Sequence, residues 1–125
     1  MLLFSLALLI PLAFAACGGD DEVVIDPNAT PSAQLTIRAR NLKFDAGYLV
    51  APAGQEFNVT LVNDDPGTIH NFAVYRESNA REVLFRGEVI EGRKTVENRL
   101  PALAAGEYYF RCDAHPEMDG TLVVK

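Results

Sequence analysis

From Gln34 the chain alternates apolar and polar residues with a period of two. Leu35, Ile37 and Ala39 fall on one face, and Thr36, Arg38 and Arg40 on the other. That is the pattern of a strand with one face in a core and one in water. Phe57, Val59 and Leu61 repeat it against Asn58, Thr60 and Val62. Pro52-Ala53-Gly54 marks a turn between the two runs, and Asn63-Asp64-Asp65-Pro66-Gly67 marks a loop after the second. Ile69 to Tyr75 reads as a further strand with His70, Phe72 and Val74 inward. Val83–Phe85 and Thr95–Leu100 read as shorter strands, although Ser78 to Arg86 also fits a short helix. Gly106 opens a strand with Tyr108, Phe110 and Cys112 on one face, and Thr121 to Lys125 closes the chain. About 7–8 short strands separated by turn signals predict an all-β antiparallel sandwich.

The start of the chain behaves differently. Leu2 to Ala16 is apolar apart from Ser5, too short to span a bilayer comfortably but long enough for a signal-peptide core. Cys17 follows Phe14-Ala15-Ala16 and precedes Gly18-Gly19, which resembles a bacterial lipoprotein box. Gly18 to Ala33 is polar apart from Val23-Val24-Ile25. The expected organisation is a signal peptide at 1–16, a flexible tether at 17–33 from a lipidated Cys17, and one domain at 34–125. The protein is therefore expected to be exported, periplasmic or anchored at the outer face of a membrane, and monomeric.

The 125 residues suffice for one domain. The net charge of −6 is unevenly placed, because Asp20, Asp21, Glu22 and Asp26 precede the domain. From Gln34 onward 11 basic and 13 acidic residues leave a net of −2. No basic patch of the kind that binds nucleic acid is visible.

Candidate chemistry is concentrated in Cys112-Asp113-Ala114-His115-Pro116-Glu117-Met118-Asp119-Gly120. A thiolate, an imidazole and a thioether at positions i, i+3 and i+6 can converge from a loop but not from a strand, whose side chains alternate faces. Pro116 restricts the loop, and Gly120 is expected to permit the turn into the last strand. A thiolate, imidazoles and a weak axial thioether form the ligand set of a blue-copper centre. Zinc would accept Cys and His but gains little from Met. His70 is the second histidine the set needs. The candidate metal ligands are thus His70, Cys112, His115 and Met118. Taken singly, each reads more blandly: Cys112 as a buried thiol, His70 as a core histidine, Met118 as packing. A disulfide between Cys17 and Cys112 is a further alternative, set aside if Cys17 is lipidated.

Ile69-His70-Asn71-Phe72 and Tyr109-Phe110-Arg111-Cys112-Asp113-Ala114-His115-Pro116-Glu117-Met118-Asp119-Gly120-Thr121 resemble the cupredoxins of the plastocyanin and amicyanin group. The resemblance covers about Gln34 to Lys125, with the short Cys-x2-His-x2-Met loop of amicyanin. It implies a Greek-key β-sandwich with one copper at its end, cycling between Cu(I) and Cu(II). His70, Cys112 and His115 would be equatorial ligands and Met118 the axial one. It also implies that Asn71 ties its strand to the backbone or side chain of Asp113. The implied role is single-electron transfer between redox protein partners, not enzymatic catalysis. His115 would be the electron port, and Ala114, Pro116 and Pro66-Gly67 an apolar docking patch around it. With two histidines in the chain, a copper oxidase with further centres is disfavoured. The other readings are a copper delivery or storage protein, which the presence of only two methionines disfavours, and a module of a larger respiratory complex.

Overall fold

The computed structural model describes residues 26 to 125. The expected signal segment and Cys17 lie outside the described residues. Among the described residues eleven strands follow one another: β1 (Gln34–Arg40), β2 (Lys43–Phe44), β3 (Tyr48–Ala51), β4 (Phe57–Asn63), β5 (Ile69–His70), β6 (Ala73–Tyr75), β7 (Val83–Arg86), β8 (Ile90–Glu91), β9 (Thr95–Leu100), β10 (Gly106–Arg111) and β11 (Asp119–Val124). They form a four-stranded sheet in the order β2-β1-β4-β9, a five-stranded sheet in the order β3-β11-β10-β6-β7, and a small β5-β8 pair. The all-β sandwich is as the alternation predicts. Both main sheets are mixed, however: β1 pairs with β4 in parallel, as β3 does with β11. Alternation reports which face is buried and carries no information on strand direction.

The core lies between the sheets. Ile37, Ala39, Phe57, Val59, Leu61 and Leu100 come from one, and Leu49, Ala51, Val74, Tyr108, Phe110, Leu122 and Val124 from the other. Phe110 is its aromatic centre, with ring centroids 5.3 Å from Phe72 and 5.9 Å from Phe44. Tyr108 and Phe110 are core packing, and the Tyr108 hydroxyl donates to the Ala104 carbonyl at 2.7 Å.

Two local expectations are corrected. The run from Ile69 to Tyr75 is not one strand. It breaks after His70, so that β5 pairs with β8 while β6 joins β10 and β7. Every residue from His70 to Tyr75 is buried, so alternation has no meaning across this crossing. Gly120 is not a turn residue either. It sits within β11 opposite Phe110, where an added Cβ would meet the Phe110 ring and the Gly47 carbonyl. Its place is set by close approach, not by backbone freedom.

The segment from Ser78 to Arg86 resolves into a turn followed by β7, not a helix. Part of the stretch expected as tether runs along the domain. The Ser32 N–H donates to the Val50 carbonyl at 3.1 Å, Asn58 N–H to Ala33 at 2.8 Å, and Lys125 Nζ to Pro27 at 2.9 Å.

Candidate metal centre

The break between β5 and β6 is what aims His70. It ends β5 with its side chain fully buried. Cys112 follows directly on β10 and is also fully buried. The loop after it closes on itself: Cys112 N–H donates to the Met118 carbonyl at 2.9 Å, and Met118 N–H to the His115 carbonyl at 2.8 Å. These two bonds fold the i, i+3, i+6 spacing into one compact turn, with Met118 buried at its end.

Cys112 Sγ lies 3.6 Å from His70 Nδ1 and 3.7 Å from His115 Nδ1. The donor atoms of His70, Cys112 and His115 all lie within 4.8 Å of one another. Typical bond lengths of ~2.0 Å to nitrogen and ~2.3 Å to sulfur add to ~4.3 Å. Each sulfur–nitrogen pair is closer than that, so one ion can touch both members. The two imidazole rings are tilted by 57° with centroids 5.0 Å apart. The three donors therefore fit a single ion of the thiolate–imidazole class.

Behind these donors stands a layer of hydrogen bonds. Asn71, 1% exposed, clamps the Cys112 loop: its Oδ1 accepts the Asp113 N–H at 2.7 Å, and its Nδ2 donates to Asp113 Oδ2 at 3.1 Å. Backbone and side chain of Asp113 are thus both engaged. The same carboxylate accepts from the Tyr75 hydroxyl, from Arg86 Nε at 3.1 Å and from Arg111 Nε at 3.2 Å. The Arg111 guanidinium also lies 4.8 Å from the centroid of the Tyr75 ring. Burial works to raise the Asp113 pKa, but hydrogen bonds from Tyr75, Asn71 and Arg111 and the charge of Arg86 outweigh it and hold it below the ordinary value.

Asp65 is the partner that the sequence pattern hides. It sits in a loop whose composition announces only a turn. In the structure its Oδ2 lies 2.8 Å from His70 Nε2, within hydrogen-bonding distance. Burial works to raise the Asp65 pKa, yet the Leu42 N–H, His70 and the Asn41 N–H draw it below the ordinary value. A carboxylate five residues before a candidate histidine ligand was the available signal.

Cupredoxin-like domains match residues 4–124. The chain belongs to the cupredoxin-like domain family. Solved cupredoxin-type structures share its fold at low identity. Auracyanin from Roseiflexus castenholzii superposes with a TM-score of 0.70 at 20% identity, over 77% of this chain and 99% of that one. Auracyanin A from Chloroflexus aurantiacus, described as a "blue" copper protein, gives 0.66 at 24% identity, over 77% and 100%. Amicyanin from Paracoccus versutus gives 0.56 at 22% identity, over 77% and 85%. A comparison with curated protein sequences finds no match. In this cupredoxin-like chain the His-Cys-His cluster lies where β5, β10 and the loop before β11 meet.

Proposed function

We propose that this protein is an exported blue-copper electron carrier holding one type 1 copper ion. The convergence of His70 Nδ1, Cys112 Sγ and His115 Nδ1 carries the reading. Bound copper would supply a one-electron Cu(II)/Cu(I) couple. His70, Cys112 and His115 would hold it equatorially, and Met118, buried at the end of the same loop, would supply the weak axial thioether. That the auracyanins and amicyanins share the fold, one of them named a blue copper protein, supports this choice of metal.

The residues around the donors favour electron transfer over chemistry on a substrate. Asp65 bonds the His70 ring, and Asn71 holds Asp113 beside Cys112, so little need move when charge changes. Both histidines of the chain belong to this one site. His115 is half-buried, between exposed Ala114 and exposed Pro116, and Pro66 and Gly67 are exposed. His115 is then the electron port, and these residues its apolar docking patch for redox protein partners. Cys17 would be the lipidated anchor that holds the carrier at a membrane surface. Voltammetry of the copper-loaded protein tests the carrier role. The expected result is a reversible one-electron wave with slow copper loss. Rapid handover of Cu(I) to a competing chelator would instead mark a delivery protein.

A further inference from the structure

One carboxylate joins the metal centre to the tip of a strained hairpin. β1 and β2 are joined by Asn41 and Leu42 alone, between the paired residues Arg40 and Lys43. Both have left-handed backbones, with φ of 53° and 58°. Two-residue hairpins need such angles, and Asn-Gly is the usual solution. A left-handed residue costs roughly 1–2 kcal/mol when it carries a Cβ. Leu42 gains little burial in exchange, being 47% exposed. What holds the turn is Asp65. Its Oδ1 accepts the Asn41 N–H at 2.5 Å and its Oδ2 the Leu42 N–H at 3.0 Å.

Oδ2 is also the atom that lies 2.8 Å from His70 Nε2. The Asp65 side chain is only 11% exposed and the His70 side chain fully buried. A second set of bonds fixes Asp65 itself. Its N–H donates to Asn63 Oδ1 at 3.0 Å, while Asn63 Nδ2 donates to the carbonyls of Thr68 at 2.8 Å and Ile90 at 3.0 Å. Gly92 packs directly against the Asp65 carbonyl, leaving no room for a Cβ. These contacts fix the backbone of Asp65, and its carboxylate faces the imidazole.

We propose that Asp65 is the positioning residue of His70, fixing its tautomer and biasing the site towards the oxidised ion. With the proton held on Nε2, the Nδ1 lone pair is the one directed at Cys112 Sγ. The fixed negative charge reaches the metal through the imidazole in poorly solvated surroundings, where charge interactions are strong. It favours whichever oxidation state carries more positive charge. The hairpin strain is the structural cost of presenting two N–H groups to the same carboxylate. The bias towards the oxidised ion rests on the copper reading; the tautomer does not.

The experiment therefore has two arms. In the metal-free full chain, imidazole ¹⁵N shifts should show His70 protonated at Nε2, with a slowly exchanging proton. Asp65→Asn should speed that exchange at least tenfold. Because Asn41 and Leu42 lose a charged acceptor, Asp65→Asn is also made with Leu42→Gly, which relaxes the turn. Leu42→Gly alone should leave His70 unchanged. In the copper-loaded protein, Asp65→Asn should move the Cu(II)/Cu(I) equilibrium about tenfold towards Cu(I), a rise of about 59 mV for one electron. A metal-free His70 protonated at Nδ1, or a double variant with unchanged exchange and unchanged potential, overturns the proposal. Failure to take up copper would contradict the copper reading, and the nitrogen shifts would still decide the tautomer.

Discussion

Removing the Asn71 side chain puts the clamp on the Cys112 loop to the test. Asn71→Ala deletes an acceptor for the Asp113 N–H and a donor to the Asp113 carboxylate, together with a long contact to the Gly87 carbonyl at 3.4 Å. The neutral bond contributes about 1 kcal/mol and a bond to a charged group about 1.5–3 kcal/mol. The second value belongs at its lower end, because Asp113 keeps Tyr75, Arg86 and Arg111. Truncating a side chain that is 1% exposed adds a small cavity. The total is about 3 kcal/mol. For a domain of this size, each kcal/mol lowers Tm by about 4–8 °C, so the fall should be about 12–24 °C. Circular dichroism of the metal-free protein reads it. Metal affinity should fall about 10–100-fold, the usual effect of losing an outer-layer partner. A Tm within about 4 °C of wild type, with affinity unchanged, would refute the clamp.

Two other perturbations follow from the same geometry. Gly120→Ala drives a methyl into the Phe110 ring and the Gly47 carbonyl, and should cost about 1–3 kcal/mol in a denaturant titration. A tolerated Gly120→Ala with no change in midpoint would contradict the packing account. Asp113 has a folded pKa below its ordinary value of 3.8, so the stability it contributes is complete above the unfolded pKa. That contribution is lost as pH falls through the folded pKa. Asp113→Asn should therefore flatten the acid limb of the metal-free protein's stability curve, where pH falls below the ordinary carboxylate range.

The ligand loop is legible in sequence because its chemistry is local. Cys112, His115 and Met118 lie within one turn, and the backbone bonds that close it involve the same residues. His70 was reachable because few residues of its type compete for the role. The faces of β1 and β4 were legible because each has one wet side. Ile69 to Tyr75 misled for the opposite reason. From His70 to Tyr75 every residue is buried, and such a run carries no period, so its break between sheets is invisible. Asp65 escaped notice because Asp, Asn, Pro and Gly in a row are read as turn chemistry. Only the fold brings its carboxylate to His70 and to the Asn41-Leu42 hairpin. The parallel pairings of β1 with β4 and β3 with β11 depend on chain crossings that no local pattern records.

The central claim is that His70, Cys112, His115 and Met118 form one type 1 copper site. Titrating the purified protein with Cu(II) and recording its visible spectrum tests it most directly. The account predicts an intense blue thiolate-to-copper absorption that saturates at one ion per chain and is abolished by Cys112→Ser. A colourless protein at saturating copper, or a blue band that survives Cys112→Ser, would contradict it.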